Sequence, residues 1–191
     1  DLFFSIIIPC YNAEVFIARA IESALMQDGT DFEIIIIDDG STDGTHDILQ
    51  RFVEKHGKRV AYYKQANRGP AAARNAGVAV AKGQYLIFLD ADDELLPNAL
   101  QVFREALEDG GGECDFIYAG HYSVSMEGKA KRLCPPAKTI DRYRDFEQLI
   151  LGKGVSPTQG AIVIRKACFQ VLSYPETIRC NEDFVLFAHL F

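Results

Sequence analysis

Residues 67–93 have the sequence NRGPAAARNAGVAVAKGQYLIFLDADD, and this stretch decides the fold class. Its alanine-rich part begins at Pro70, and proline suits the first position of a helix. The apolar run at 85–89, YLIFL, predicts a strand that is buried on both faces and ends at the acidic residues 90–93. A helix that leads directly into a fully buried strand is typical of an α/β protein with a parallel sheet.

Two further apolar runs precede this stretch and repeat the pattern. Residues 3–8, FFSIII, predict a strand that ends at Pro9, and residues 32–37, FEIIII, predict a second strand. Apolar residues at helical spacing follow each run, Asn12 is placed to cap the first of these helices, and 60–64 predict a short third strand. We therefore expect an α/β fold with an open, mostly parallel, Rossmann-like central sheet and helices on both faces.

The signal changes beyond Gly110. Residues 115–124 and 129–133 predict two strands in a hairpin, and 161–165 predict another short strand. Residues 141–151 and 181–191 have helical patterns. We expect one domain over 1–191, with an α/β half at 1–107 and a smaller second half at 108–191. Because the chain starts without Met and stops within an apolar run, we expect a piece of a longer protein that is truncated at its C-terminus.

Composition excludes several classes of protein. The net charge is -7 and no basic stripe is visible, so we expect no nucleic-acid partner. The five cysteines are odd in number and lack C-x-x-C spacing, which favours reduced thiols and a cytoplasmic location. No apolar run is long enough to span a bilayer. Contact with the inner face of the membrane is therefore expected only through segments outside this sequence.

Acidic residues follow two of the buried strands, at Asp38-Asp39 and at Asp90-Ala91-Asp92-Asp93. In an open α/β sheet, ligands bind at the carboxyl ends of the strands. Carboxylates gathered there repel one another unless a cation or hydrogen-bond donors compensate them, and a divalent ion with oxygen ligands would do so. Aspartates in these places can also serve only as turn formers or helix caps.

With these motifs in view, the chain resembles family-two glycosyltransferases of the GT-A fold. The resemblance is densest from Phe4 to Leu107. It rests on four segments: SIIIPCYN at 5–12, EIIIIDDGSTDGT at 33–45, the stretch at 67–93 and LLPNAL at 95–100.

The resemblance implies that 1–107 is the nucleotide-binding half and 108–191 the acceptor-side half of one catalytic domain. It also implies a nucleotide site and a metal site. Asp39 would receive the base, with its carboxylate accepting the N3–H of a uracil, while Asp38 supports the loop. Asp92 would be the main ligand and Asp90 a further ligand of Mn²⁺ or Mg²⁺. Arg74 either binds the nucleotide or forms an ion pair with an aspartate, and the sequence leaves both roles open. The nucleotide-binding residues implied are Pro9, Tyr11, Asn12, Asp39, Asn67, Gly69, Arg74, Asp90 and Ala91.

The same resemblance implies an inverting transfer of sugar from a nucleotide diphosphate, UDP by preference, to an acceptor hydroxyl. Such a transfer needs a base opposite the leaving diphosphate. The pair Glu182-Asp183 matches the family's E-D motif, with Asp183 as the base and Glu182 as its helper. The acceptor would be a saccharide, a lipid-linked sugar or a protein, in the synthesis of surface polysaccharide or glycoconjugate.

Two alternatives from other functional classes remain open. The first is a non-catalytic module that binds a nucleotide sugar, which the intact Asp92 and Asp183 disfavour. The second is an aspartate-based phosphotransferase, although Glu94 stands where its D-x-D-x-[TV] pattern requires Thr or Val. A dehydrogenase and a P-loop triphosphatase are disfavoured because the chain lacks their glycine-rich motifs.

Overall fold

The computed structural model describes residues 2–109, 115–124, 130–134 and 159–177. The strands are β1 (Phe4–Cys10), β2 (Phe32–Asp38), β3 (Val60–Lys64), β4 (Tyr85–Phe88), β5 (Phe116–Tyr118), β6 (His121–Val124), β7 (Ala130–Cys134) and β8 (Ile162–Arg165). The helices are α1 (Ile17–Leu25), α2 (Thr45–His56), α3 (Pro70–Val80) and α4 (Ala99–Asp109), with short 3₁₀ helices at Gln159–Ala161 and Lys166–Gln170.

The central sheet has six strands in the order β3-β2-β1-β4-β8-β5. Strands β1 to β4 are parallel to one another, whereas β8 is antiparallel to both β4 and β5. The predicted mostly parallel sheet is therefore confirmed. Because the four parallel strands all end at one edge, the segments that leave them are brought together there.

Helices cover both faces of this sheet, as predicted. Strand residues alternate between the two faces, so Ile6 and Ile8 pack on one side and Ile7 on the other, all with no exposed surface. Apolar residues of α1, α2 and α4 fill the first core, while α3 and the segment 168–174 fill the second. The long apolar runs follow from this double burial, since a strand between two helical layers has no polar face.

The first strand is longer than predicted, because it continues through Pro9 to Cys10. Ile7 O accepts a hydrogen bond from Leu89 N, so the backbone N–H and C=O groups of the odd-numbered residues of β1 point towards β4. The pairing of β1 with β4 ends at Ile7 and Phe88. The missing N–H of Pro9 therefore removes no hydrogen bond from the sheet, and the proline is tolerated inside the strand.

The C-terminal half differs in detail from the prediction. The strand expected at 115–124 is two strands, of which β5 joins the central sheet and β6 pairs antiparallel with β7. Strand β8 lies where a short strand was predicted. The helices predicted at 141–151 and 181–191 lie outside the described residues. Among the helices that the structure describes, none combines the length and apolar character needed to cross a membrane.

Candidate functional site

A cleft of about 650 Å³ lies at the carboxyl edge of the four parallel strands. Cys10, Asp38 and Lys64 are paired across β1, β2 and β3, so the loops that follow these strands begin at the same level. The cleft contains every predicted nucleotide or metal residue of the described chain: Pro9, Tyr11, Asn12, Asp39, Asn67, Gly69, Arg74, Asp90, Ala91 and Asp92. The fold therefore brings together residues up to 83 positions apart in sequence, counted from Pro9 to Asp92.

Asp39 stabilises the loop at 65–69 through hydrogen bonds to its carboxylate. Its side chain is 3% exposed, and Oδ1 accepts hydrogen bonds from Gln65 Nε2 at 2.8 Å and from the Arg68 amide at 2.9 Å. Oδ2 accepts a hydrogen bond from the Gly69 amide at 2.7 Å. Gly69 has φ +93°, a conformation that glycine adopts without strain, and this lets its N–H turn towards the carboxylate. Among the described residues, Oδ2 has one donor, and a carboxylate oxygen has the capacity to accept another.

Asp38, the preceding residue, is directed into the protein. Its carboxylate has no exposed surface and accepts hydrogen bonds from the Ser41 amide at 2.7 Å and from Tyr62 Oη at 3.1 Å. Lys64 Nζ lies 3.7 Å from Oδ2. Burial and the hydrogen bond to Asp38 raise the pKa of Tyr62, so its hydroxyl remains protonated and donating. These contacts give Asp38 the loop-supporting position that the resemblance implied.

The loop after β1 is tied to the loop after β2. The backbone N–H of Asn12 donates to Ser41 Oγ at 2.9 Å, and the side-chain Oδ1 of Asn12 accepts from the backbone N–H of Thr42 at 2.9 Å. The predicted capping role of Asn12 is wrong, because α1 begins at Ile17 and has no side-chain cap. Asn12 has φ +48°, a region that asparagine tolerates, and this turns its side chain towards the neighbouring loop instead of towards the helix.

Arg74 forms the ion pair that was left open from the sequence. Its guanidinium lies 2.7 Å from Asp90 Oδ1, and its side chain is only 6% exposed. Arg74 projects from α3 at the cleft, so the same group both lines the cleft and balances one carboxylate of the D-x-D motif. The ion pair and a contact with a nucleotide are therefore compatible roles.

Asp92 and Asp93 are arranged differently from Asp90. Within the described chain, neither of these two side chains has a hydrogen bond or an ion pair. Partial burial of its carboxyl and the charges of Asp90 and Asp92 raise the pKa of Asp93 to about 6, although the residue as a whole is exposed. This end of β4 therefore carries negative charge that the described residues compensate only in part.

The oxygen donors at the end of β4 fit a hard divalent cation. The described residues include no group of three or more His, Cys, Asp or Glu side chains that could hold a metal ion. Magnesium uses one or two carboxylates and takes its other ligands from water and substrate phosphates. Asp92, with its carboxylate at the cleft and no protein partner in the described chain, suits that mode of binding.

The sequence did not single out every residue of the cleft. Arg68 adds a second guanidinium, and Phe16, Ala13, Pro70 and Ala73 add apolar surface. Arg68 and Ala13 adjoin predicted residues in the same loops, Pro70 and Ala73 lie in the first turn of α3, and Phe16 directly precedes α1. Proximity to a predicted residue or to a helix start was therefore the available signal.

Cys10 lines the cleft but is unsuited to nucleophilic chemistry. It is 4% exposed, and burial together with the charges of Asp38, Asp43 and Asp39 raises the pKa of its thiol to about 12. The thiol therefore stays protonated at neutral pH. The predicted base Asp183 and its neighbour Glu182 lie outside the described residues.

Comparison with known proteins assigns the chain to a family. The sequence pattern of glycosyl transferase family 2 matches residues 5–172. The chain belongs to this family. Family 2 relatives include an uncharacterized glycosyltransferase of Rickettsia felis, 35% identical over 97% of the chain and 30% of that protein. Chondroitin synthase of Escherichia coli is 41% identical over 65% of the chain and 18% of that protein.

A solved structure supports the fold assignment. TarS 1–349 of S. aureus in complex with UDP has a TM-score of 0.75 and 25% identity over 97% of the chain and 54% of that chain. The GT-A fold predicted from the resemblance is thereby confirmed. The chain spans about 30% of the length of the Rickettsia felis protein and about half of the TarS chain.

Proposed function

We propose that this chain is the donor-binding and catalytic domain of an inverting, metal-assisted glycosyltransferase. It transfers a sugar from a nucleotide diphosphate, UDP by preference, to an acceptor hydroxyl. The observation that carries the proposal is the cleft at the carboxyl edge of the sheet, which Asp39 and Asp92 both line in a member of glycosyl transferase family 2.

Asp39 selects the base in this proposal. The Asp39 carboxylate lines the cleft, and its Oδ2 can accept a second hydrogen bond beside that from Gly69. Uracil offers an N3–H donor at its pairing edge, whereas the N3 of cytosine is an acceptor and would face the carboxylate unfavourably. Binding of UDP by the TarS neighbour gives independent support for a uridine nucleotide. Pro9, Tyr11, Asn12, Asn67, Gly69 and Ala91 would enclose the nucleoside and ribose.

In this proposal the diphosphate would lie between Asp39, which binds the base, and Asp92, which binds the metal. Asp92, with Asp90 beside it, would hold Mn²⁺ or Mg²⁺, which when bound supplies positive charge to the departing diphosphate. Arg74 keeps Asp90 in place through their ion pair and presents its guanidinium to the phosphates. The protonated Cys10 thiol offers no nucleophile, in keeping with a transfer that forms no covalent enzyme intermediate.

Asp183 would take the proton from the acceptor hydroxyl as that oxygen attacks the anomeric carbon. The bond from the sugar to the diphosphate breaks on the opposite face, so the anomeric configuration inverts. Glu182 would contact the acceptor. Chondroitin synthase among the relatives supports a saccharide acceptor in polysaccharide synthesis, and a lipid-linked or protein acceptor is the alternative.

The decisive experiment measures release of UDP from a panel of UDP-sugars with and without Mn²⁺. Asp183→Asn is expected to keep UDP affinity and to lower turnover by about 10²–10⁴-fold, since general-base catalysis is lost. Asp28→Asn, in the exposed turn before β2, is the matched control. Proton NMR of the product reports the anomeric configuration, and retention would contradict the proposal. Tight UDP binding without turnover of any donor would instead favour a non-catalytic binding module.

A further inference from the structure

The two guanidinium groups of the cleft, those of Arg68 and Arg74, are both held by one short segment of the C-terminal half. This segment comprises residues 174–176 and is called the arginine clamp below. We propose that Asn75 positions the arginine clamp, and that the clamp thereby sets both arginines for the donor diphosphate. The proposal rests on the proposed function, and it makes Asn75 and the clamp positioning elements rather than catalytic residues.

Asn75 docks the clamp on α3. Its side-chain Nδ2 donates to Tyr174 O at 2.9 Å, and its Oδ1 accepts from Tyr174 N at 2.9 Å. A side-chain amide that pairs with both backbone groups of one residue fixes the position and the orientation of that residue. The two partners are 99 positions apart in sequence, so this contact joins the two halves of the chain.

Tyr174 places its aromatic ring against the Arg74 guanidinium. The ring is 1% exposed, and the Arg74 guanidinium carbon lies 5.4 Å from its centroid. The ring also packs edge-on against Phe88 at 5.2 Å, and Phe88 ends β4 two residues before Asp90. The Arg74 side chain is 6% exposed and therefore has little freedom to move. Displacement of Tyr174 would remove the surface on which the guanidinium rests.

Glu176 holds the second arginine. Its Oε2 accepts a hydrogen bond from the Arg68 guanidinium at 2.5 Å, and its Oε1 accepts from Asn75 Nδ2 at 3.2 Å. An exposed ion pair on its own orders side chains weakly. Here the carboxylate is also anchored by Asn75, so the position of Arg68 depends on the same amide that holds Tyr174.

The Asn75 side-chain amide is thus linked to both cations that line the cleft in the described chain, to Arg74 through Tyr174 and to Arg68 through Glu176. Their charges are needed because Asp39, Asp90 and Asp92 line the same cleft and repel a diphosphate. Uridine carries no phosphate, so its binding does not use these cations. A contribution made through the arginines must therefore appear in the affinity for UDP and be nearly absent from the affinity for uridine.

The test compares titration calorimetry of UDP and of uridine, at one fixed Mn²⁺ concentration, for wild type and Asn75→Ala. We expect UDP affinity to fall about tenfold and uridine affinity to change less than about twofold. Gln101→Ala is the control, because it removes an amide from α4 that bonds to Glu105 at 2.9 Å on the exposed surface. Both affinities should be unchanged in this control.

Asn75→Asp provides a second variant if Asn75→Ala does not fold. It retains size and the acceptor for Tyr174 N, but places a charge against Tyr174 O and Glu176, so the same selective loss of UDP affinity is expected. Combining Asn75→Ala with Arg68→Gln should give less than the sum of the two separate losses. Equal losses for UDP and uridine, or no loss for either, would overturn the proposal and leave Asn75 a purely structural residue.

Parallel titrations with GDP separate this proposal from the proposed function. A wild-type protein that binds GDP instead of UDP, with the same dependence on Asn75, would refute the uridine assignment and support the clamp. Absence of binding to either diphosphate would overturn both.

Discussion

Two acidic strand ends lie at one edge of the sheet, and they differ in how the protein compensates their charge. At the end of β2, the described residues Ser41, Tyr62, Gln65, Arg68 and Gly69 donate five hydrogen bonds to the side chains of Asp38 and Asp39. At the end of β4, Arg74 pairs with Asp90, while the described chain offers no partner to Asp92 or Asp93. The first carboxylate pair is thus satisfied by hydrogen-bond donors, whereas Asp92 and Asp93, as far as the described residues show, are available to attract a cation.

The difference shows that similar acidic motifs can suit different ligands. A carboxylate held by several donors has a fixed orientation and can select a hydrogen-bonding ligand such as a base. A carboxylate without partners keeps its oxygen atoms available for a metal ion. Three experiments would break or sharpen this comparison, and they follow from the largest expected effect to the smallest.

Asp92→Ala tests the carboxylate at the end of β4 that has no hydrogen bond or ion pair within the described residues. We expect UDP affinity in the presence of Mn²⁺ to fall about a hundredfold, because the carboxylate proposed to hold the metal is lost. Titration calorimetry with and without Mn²⁺ measures this effect, and Asp28→Ala, in the exposed turn before β2, is the matched control. Unchanged UDP affinity with Mn²⁺ would remove Asp92 from the metal site.

Asp39→Asn and Asp38→Asn separate the two members of the satisfied pair. Asp39→Asn should lower uridine affinity about tenfold whether or not metal is present, since it changes the acceptor that faces the base. Asp38→Asn should leave uridine affinity unchanged and lower the free energy of unfolding by about 1–3 kcal/mol, because a buried charged acceptor is lost. Calorimetry and urea denaturation measure the two effects. A loss at Asp39 that appears only with metal would contradict the base-binding role.

Asp93→Asn tests the negative charge at the end of β4 through the pH dependence of thermal stability. The pKa of Asp93 is raised from 3.8 to about 6, so ionisation destabilises the folded state. The free-energy cost of ionising Asp93 in the folded protein is absent below the unfolded pKa and grows as pH rises to about 6. Because the residue is exposed, solvent screens its charge and makes this cost smaller. In metal-free protein, Asp93→Asn should therefore raise Tm by about 1–2 °C more at pH 7 than at pH 4.5. Differential scanning calorimetry measures this difference, and a gain independent of pH would contradict the shifted pKa.

The sequence predicted β1, β2, β4 and their helices well because each of these strands lies in a nearly continuous apolar run. Strand β2 extends one residue beyond its predicted range, to Asp38, and β3 covers the predicted 60–64. Burial on both faces imposes this pattern locally, so no knowledge of distant contacts is needed. Prediction was weaker at Pro9, since whether a proline fits inside a strand depends on where the neighbouring strand stops pairing.

The positions of the cleft residues were likewise predictable, whereas their partners were not. Asp39 and Arg74 were both named from motifs, yet the sequence could not choose between an ion pair and a nucleotide contact for Arg74. Strand β8 enters the sheet beside β4 in the antiparallel sense, and Asn75 pairs with Tyr174. Both features join residues that are remote along the chain, and short-range periodicity carries no information about such contacts.

The sequence by itself determined the alternation of buried strands and helices, the acidic ends of two strands and the membership of a glycosyltransferase family. These features follow from local chemistry, because burial, turn formation and motif spacing are properties of neighbouring residues. Only the tertiary structure decided which carboxylates are satisfied by donors and which remain available to a cation. That outcome depends on the donors that the loop after β2, strand β3 with the loop that follows it, and helix α3 bring to the same edge of the sheet.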